Sequence, residues 1–137
     1  MYTSLDQIKA RIPADLLTQA LSDTDGVEID EALWQQVYTA ADLAIDGAIG
    51  GRYSVPLAAP IPAVIQDAAC TFCCELIYQR RGVAPEQNPF AAHARECRQR
   101  LIAIGAGEQP LSVLSAKARP AGSIISQPSR LGEKLLV

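Results

Sequence analysis

Apolar positions along the chain recur at three- and four-residue spacing far more often than they alternate, and glycine or proline interrupts the pattern at each place where one helix should give way to the next. Ser4-Leu5-Asp6-Gln7 reads as a capping box opening a short helix to about Arg11, with Leu5, Ile8 and Ile12 on one side. Pro13 ends that turn and opens a second helix over 14–21, where Leu16, Leu17, Ala20 and Leu21 keep helical spacing. A long helix is predicted from Asp30, as its cap, to about Ile49. Leu33, Val37, Ala41, Ala44 and Ala48 form its stripe, Trp34, Tyr38, Ile45 and Ile49 flank it, and Gln35, Gln36, Asp42 and Asp46 face away. Trp34 and Tyr38, one turn apart, are expected to stack as a core pair.

Gly50-Gly51-Arg52-Tyr53-Ser54-Val55-Pro56-Leu57 stops this helix. The two glycines are expected to supply positive φ at the helix end, and Pro56 forbids an immediate restart. Tyr53, Val55 and Leu57 alternate with Arg52, Ser54 and Pro56, so one face of a short extended piece docks while Arg52 stays open to a partner. Pro62 then opens a helix over about 63–81 with a wide apolar face (Val64, Ile65, Ala68, Ala69, Phe72, Cys73, Leu76, Ile77), closed by the cationic turn and glycine stop of Arg80-Arg81-Gly82. Asn88 as cap and Pro89 at the first position predict a last helix through Phe90, Ala94, Cys97, Leu101 and Ile104, ending at Gly105 and Gly107. Arg95, Arg98 and Arg100 fall on or near its outer face.

Beyond Pro110 the character changes. Leu111 to Lys117 and Ser123 to Ser126 look extended, with Arg119-Pro120-Ala121-Gly122 as a turn, so they pair as a hairpin or add to the sheet edge of another chain. The apolar residues Leu131, Leu135, Leu136 and Val137 sit where a chain end ordinarily frays, which favours a docked tail. The expected fold class is therefore all-α: a small helical bundle of about four to five helices over 1–109, followed over 110–137 by an extended C-terminal docking tail that can close into a β-hairpin.

At 137 residues and 49% apolar content, the chain suits one domain that closes its core without staples. It contains no apolar run approaching the ~20 residues of a membrane span and no basic-then-apolar leader, so a soluble protein made in the cytosol is expected. Net charge is −3 but unevenly placed: two basic against nine acidic residues in 1–49, six against five in 50–109, and four against one in 110–137. An acidic head and a basic tail permit head-to-tail pairing of copies.

Cys70, Cys73 and Cys74 fall in one apolar helical stretch, with Cys97 on the next helix, and read as buried free thiols rather than a metal or redox set. His93, the single histidine, reads as a surface residue. Asp23, Asp25, Glu28 and Asp30 around Gly26 resemble a calcium loop in composition, but their spacing is out of register for one. They read as a helix–helix turn in which Asp30 caps and Glu31 favours the next helix. With one histidine and no coherent catalytic motif, no enzyme activity and no cofactor are expected. The second function class is a small helical DNA-binding regulator, with the helix over 88–104 as its reader.

Three segments carry a family resemblance: Met1-Tyr2-Thr3-Ser4-Leu5-Asp6-Gln7-Ile8 with Leu16 and Leu17; the Asp23-Thr24-Asp25-Gly26-Val27 turn; and above all Ile45-Asp46-Gly47-Ala48-Ile49-Gly50-Gly51-Arg52-Tyr53-Ser54-Val55-Pro56-Leu57. A helix ending in Gly-Arg-Tyr and followed closely by Pro-Leu is the most specific piece. Over roughly residues 1–108 the chain resembles the phage Mu-type small neck proteins, among the head-tail connector (adaptor) proteins of tailed phages; it departs from them in a shortened acidic turn and in the tail after Pro110. The resemblance implies a virion protein of the head-tail neck, synthesised in the host cytoplasm. It implies an oligomeric, dodecameric ring under the portal that extends the DNA channel, with the portal protein, neighbouring copies and a downstream neck or tail-completion protein as partners. It further implies transient non-specific contact with passing DNA and no membrane contact. The expected interface residues are Arg52 and Tyr53 in the hinge, with Leu111, Val113, Leu114, Lys117, Arg119, Ile124, Ile125, Arg130, Lys134, Leu135 and Leu136 in the tail. Asp23, Asp25, Glu28, Asp30 and Glu31 are expected near the lumen or a subunit interface, where like charge lets DNA slide.

Overall fold

The computed structural model describes residues 1–22 and 28–111. Five helices follow one another: α1 (Leu5–Lys9), α2 (Ala14–Ala20), α3 (Glu31–Ile49), α4 (Ala63–Arg80) and α5 (Ala91–Gly105), with a 3₁₀ turn at Pro85–Gln87 before α5. No strand occurs among the described residues. The all-α bundle read from the sequence is the fold. The proposed hairpin in the tail lies outside the described residues.

Each start follows from local chemistry. Ser4 and Gln7 close the capping box reciprocally, the Ser4 Oγ accepting from the Gln7 N–H and the Gln7 Oε1 accepting from the Ser4 N–H. Asp30 accepts from the Ala32 N–H at 2.8 Å and starts α3. Pro13 and Pro62 stand immediately ahead of α2 and α4, where a missing N–H costs nothing.

The centre of the molecule is α4, which packs against α1, α2, α3 and α5 alike. From Ala68 to Glu75 every residue of α4 is buried. Small side chains (Ala68, Ala69, Cys70, Thr71, Cys73, Cys74) let helices approach from several directions, while Ile65, Phe72 and Ile77 fill the remaining space. α3 and α5 also pack on each other. At that crossing the backbone of Gly105 meets that of Ala48 so closely that a Cβ on Gly105 would stand 2.0 Å from the Ala48 carbonyl oxygen.

Several expectations are corrected. Gly50 has φ −63°, and the positive φ angles among the described glycines are at Gly82 (78°) and Gly107 (83°). α3 needs no left-handed cap, because both Arg52 and Tyr53 donate their N–H groups to the Ile49 carbonyl at 3.0 Å. The buried stripe of α3 runs through Trp34, Val37, Ala41, Ile45 and Ile49 together with Leu33, whereas Ala44 is exposed and Ala48 half-buried. Placing Trp34 in the core rotates the helix away from the stripe of alanines. Trp34 and Tyr38 meet edge to face, with centroids 5.4 Å apart and planes at 61°, rather than stacking. Asn88 does not start α5 directly: its Oδ1 accepts from the Phe90 N–H while its Nδ2 donates to the Glu75 carbonyl of α4. Serving both helices, it holds a short lead-in, and the helix begins at Ala91.

Candidate functional site

The hinge between α3 and α4 is held by two tyrosine hydroxyls. Tyr53 is buried, and its hydroxyl accepts the Leu111 N–H at 3.2 Å; Leu111 is itself buried. At the other end of the hinge the Tyr2 hydroxyl accepts the Leu57 N–H at 2.8 Å and donates to the Asp46 carboxylate at 2.6 Å. Burial, with the hydrogen bond to Asp46, holds the Tyr2 hydroxyl well above its ordinary pKa, so it stays protonated as the donor. Of the expected docking face, Tyr53 and Leu57 are buried and Val55 is exposed. A proline-rich connector with few backbone hydrogen bonds of its own thus takes its order from side chains far away in sequence.

The first interface group therefore comes together in part. Arg52 is exposed, as expected, and lies against the turn at Gly107, where an added Cβ would come within 2.8 Å of its Nη1. Arg52, Tyr53 and Leu111 meet where the tail leaves the bundle. Val113, Leu114, Lys117, Arg119, Ile124, Ile125, Arg130, Lys134, Leu135 and Leu136 lie outside the described residues, as do Asp23 and Asp25. Of the other acids, Glu28 and Glu31 are exposed, and Asp30 is half-buried as the cap of α3.

Asp42 and Asp46, expected to face solvent, instead receive the start of the chain: the Met1 amino group lies 3.3 Å from Asp42 Oδ2, and the Tyr2 N–H donates to Asp42 Oδ1 at 3.3 Å. Arg98 is likewise engaged rather than free. It pairs with Glu75 on α4 and lies 5.1 Å over the ring of Phe72. That leaves the face proposed for reading DNA with fewer available cations.

A second polar group joins α4 to α5. His93, read from the sequence as a surface residue, is half-buried, its Nε2 2.8 Å from Asp67 Oδ2 and its Nδ1 3.4 Å from Glu96 Oε1. Arg11 reaches the other Asp67 oxygen at 3.5 Å. Burial alone would raise the Asp67 pKa, yet the His93 hydrogen bond and charge, with Arg11, hold it below its usual value; the hydrogen bond that His93 donates to Asp67 raises His93 in turn. Beside Asp67 a cavity of about 310 Å³ opens between α1 and α4, lined by Gln7, Arg11, Gln66 and Cys70 among others.

All four cysteines are free and buried, as their apolar setting predicted. Burial pushes the Cys97 thiol up to about 11 and the Cys73 thiol higher, and the hydrogen bond with Cys70, then burial, raises Cys74, so these three stay protonated thiols in the core. Cys70 differs, its pKa lowered to about 7 by the hydrogen bond from Cys74 and, to a smaller extent, by the Arg11 charge.

The outer surface carries the feature that helical periodicity obscured. Leu43 on α3 and Ile102 on α5 are 66% and 64% exposed. Between the two helices runs a groove of about 200 Å³ lined by Ala44, Ala48, Phe72, Arg98, Leu101 and Ile102. An apolar residue out of phase with its own stripe was the available signal for both.

The model of one protein family, described as Bacteriophage Mu, Gp36, matches residues 2–125. The chain belongs to that family. It is thus a bacteriophage protein, and the match takes in the whole helical bundle, the Gly-Arg-Tyr hinge and the first part of the tail, beyond the point where the sequence resemblance fades. No curated protein matches the chain. Among the described residues, no helix of this family member is long and apolar enough to cross a membrane.

Proposed function

We propose that the protein is a structural head-tail connector of a tailed phage: a rigid helical subunit that forms a ring under the portal, extends the DNA channel and joins head to tail in the neck of the virion. It does no bond-making chemistry. The observation that carries this reading is the seating of Leu111 on Tyr53. It roots Leu111, after which the basic residues of the tail follow in sequence, on a bundle whose α1–α3 half is acidic, and that charge asymmetry supports one copy gripping the next or the portal. Membership of a phage family supports the setting, and the exposed Leu43 and Ile102 offer apolar area of the kind that subunit contacts cover. The exposed acids Glu28 and Glu31 suit a wall past which DNA moves without sticking.

The test compares the full chain with one ending after Leu111, each mixed with the cognate portal protein and sized by native mass measurement. The shortened chain is expected to keep its helical signal and its thermal transition but to fail to join portal complexes. Normal assembly by the shortened chain would remove the tail from the mechanism. Strongly salt-dependent binding of free duplex DNA by the full chain, with no portal complex, would favour the DNA-binding regulator instead.

A further inference from the structure

Asp67, His93 and Cys97 bring a carboxylate oxygen, an imidazole nitrogen and a thiol sulfur to within 4.8 Å of one another. The chain has a single histidine, so any site using imidazole is fixed at this place. His93 and Cys97 lie four residues apart on one face of α5, the spacing at which two side chains converge from consecutive turns, and Asp67 enters from α4. Asp67 Oδ2 is the shared point, 2.8 Å from His93 Nε2 and 3.7 Å from Cys97 Sγ.

We propose that Asp67, His93 and Cys97 form a binding site for a divalent transition-metal ion of the zinc class, which clamps α4 to α5. The donor set, one sulfur, one nitrogen and one oxygen, is the mixture that such borderline ions take, in preference to calcium or magnesium. The surroundings fit a ligand set as well as they fit a salt bridge. The Nδ1 of His93 faces Glu96, which accepts the second ring N–H and leaves Nε2 as the ligating atom. Arg11 holds the other Asp67 oxygen, aiming Oδ2 at the pair on α5. The buried Thr71 hydroxyl, beside Cys97, has no hydrogen-bond partner among the described residues. The His93 and Asp67 side chains keep 42% and 32% of their surface exposed, which gives a water access to the fourth tetrahedral position. The ion takes the place of the proton that His93 and Asp67 share, and the Cys97 proton leaves to solvent as the thiolate binds.

The test uses the full-length reduced protein with Co²⁺ as optical probe and Zn²⁺ by calorimetry. Tetrahedral d–d bands and a thiolate-to-cobalt charge-transfer band are expected, displaced by Zn²⁺. Cys97→Ser should abolish the charge-transfer band. His93→Ala, once its helical signal is confirmed, should weaken Zn²⁺ binding by about tenfold or more, and Zn²⁺ should raise the melting temperature of the natural chain but not of this variant. A natural chain without the band would overturn the site. So would Zn²⁺ affinity unchanged in His93→Ala, or a thiolate band that persists in Cys97→Ser, which would place the metal on Cys70, Cys73 or Cys74.

Discussion

Glu75 keeps only 9% of its side-chain surface exposed, on the one helix that every other helix touches, and its carboxylate is met by the Arg98 guanidinium. A carboxylate that loses its partner there is left largely desolvated, a cost of ~3–5 kcal/mol when a pair is fully buried. Arg98 is half exposed, so solvent recovers part of it, and Arg98→Met is expected to destabilise the fold by about 2 kcal/mol in urea denaturation. Adding Glu75→Gln should restore part of the loss, because the residual charge is gone. An Arg98→Met cost indistinguishable from that of an ordinary surface change would mean the pair contributes nothing. The charge of Glu75 is legible in the sequence, but its burial is not: a lone acid in an apolar run reads as the polar edge of a helix until a partner from another helix is known.

Close approach decides the pairing of α3 with α5. A Cβ on Gly105 would strike the Ala48 carbonyl oxygen at 2.0 Å and the Ile49 Cα at 3.4 Å, and both are backbone atoms that cannot move aside. Gly105→Ala is therefore expected to cost about 2 kcal/mol or more and to lower the melting temperature. Gly47, in the interior of α3, has nothing within 4 Å of the place a Cβ would take, so Gly47→Ala should be neutral or stabilise by up to ~1 kcal/mol. Equal effects of the two substitutions would rule out the crossing as the reason for glycine at 105. From sequence Gly105 reads as a helix stop, and the helix does end there. Its second role, as the thin point of a crossing, depends on Ala48, far away in the chain.

For the whole molecule, the features that suit assembly lie apart from the core: the exposed pair Leu43 and Ile102, the exposed acids at the start of α3, and the tail rooted on Tyr53. Leu43→Glu with Ile102→Glu should leave stability within about 0.5 kcal/mol, since neither side chain is packed. The same pair of changes should reduce self-association or portal binding, read by native mass measurement. Assembly at the natural level would show that another surface is the interface.

Helix number, order and most boundaries were set by the sequence, because capping side chains, prolines and three- and four-residue apolar spacing act within a turn or two of where they stand. Its resemblance to a phage family was likewise legible in local strings such as Gly-Arg-Tyr before Pro-Leu, and the family model matches residues 2–125. Only the tertiary structure decided that α4 is the hub, that Tyr2 and Tyr53 order the hinge through their hydroxyls, and that the single histidine meets Asp67 and Cys97. Those outcomes turn on which face each helix shows its neighbours, and one helix's pattern of residues says which face is buried but not what it is buried against.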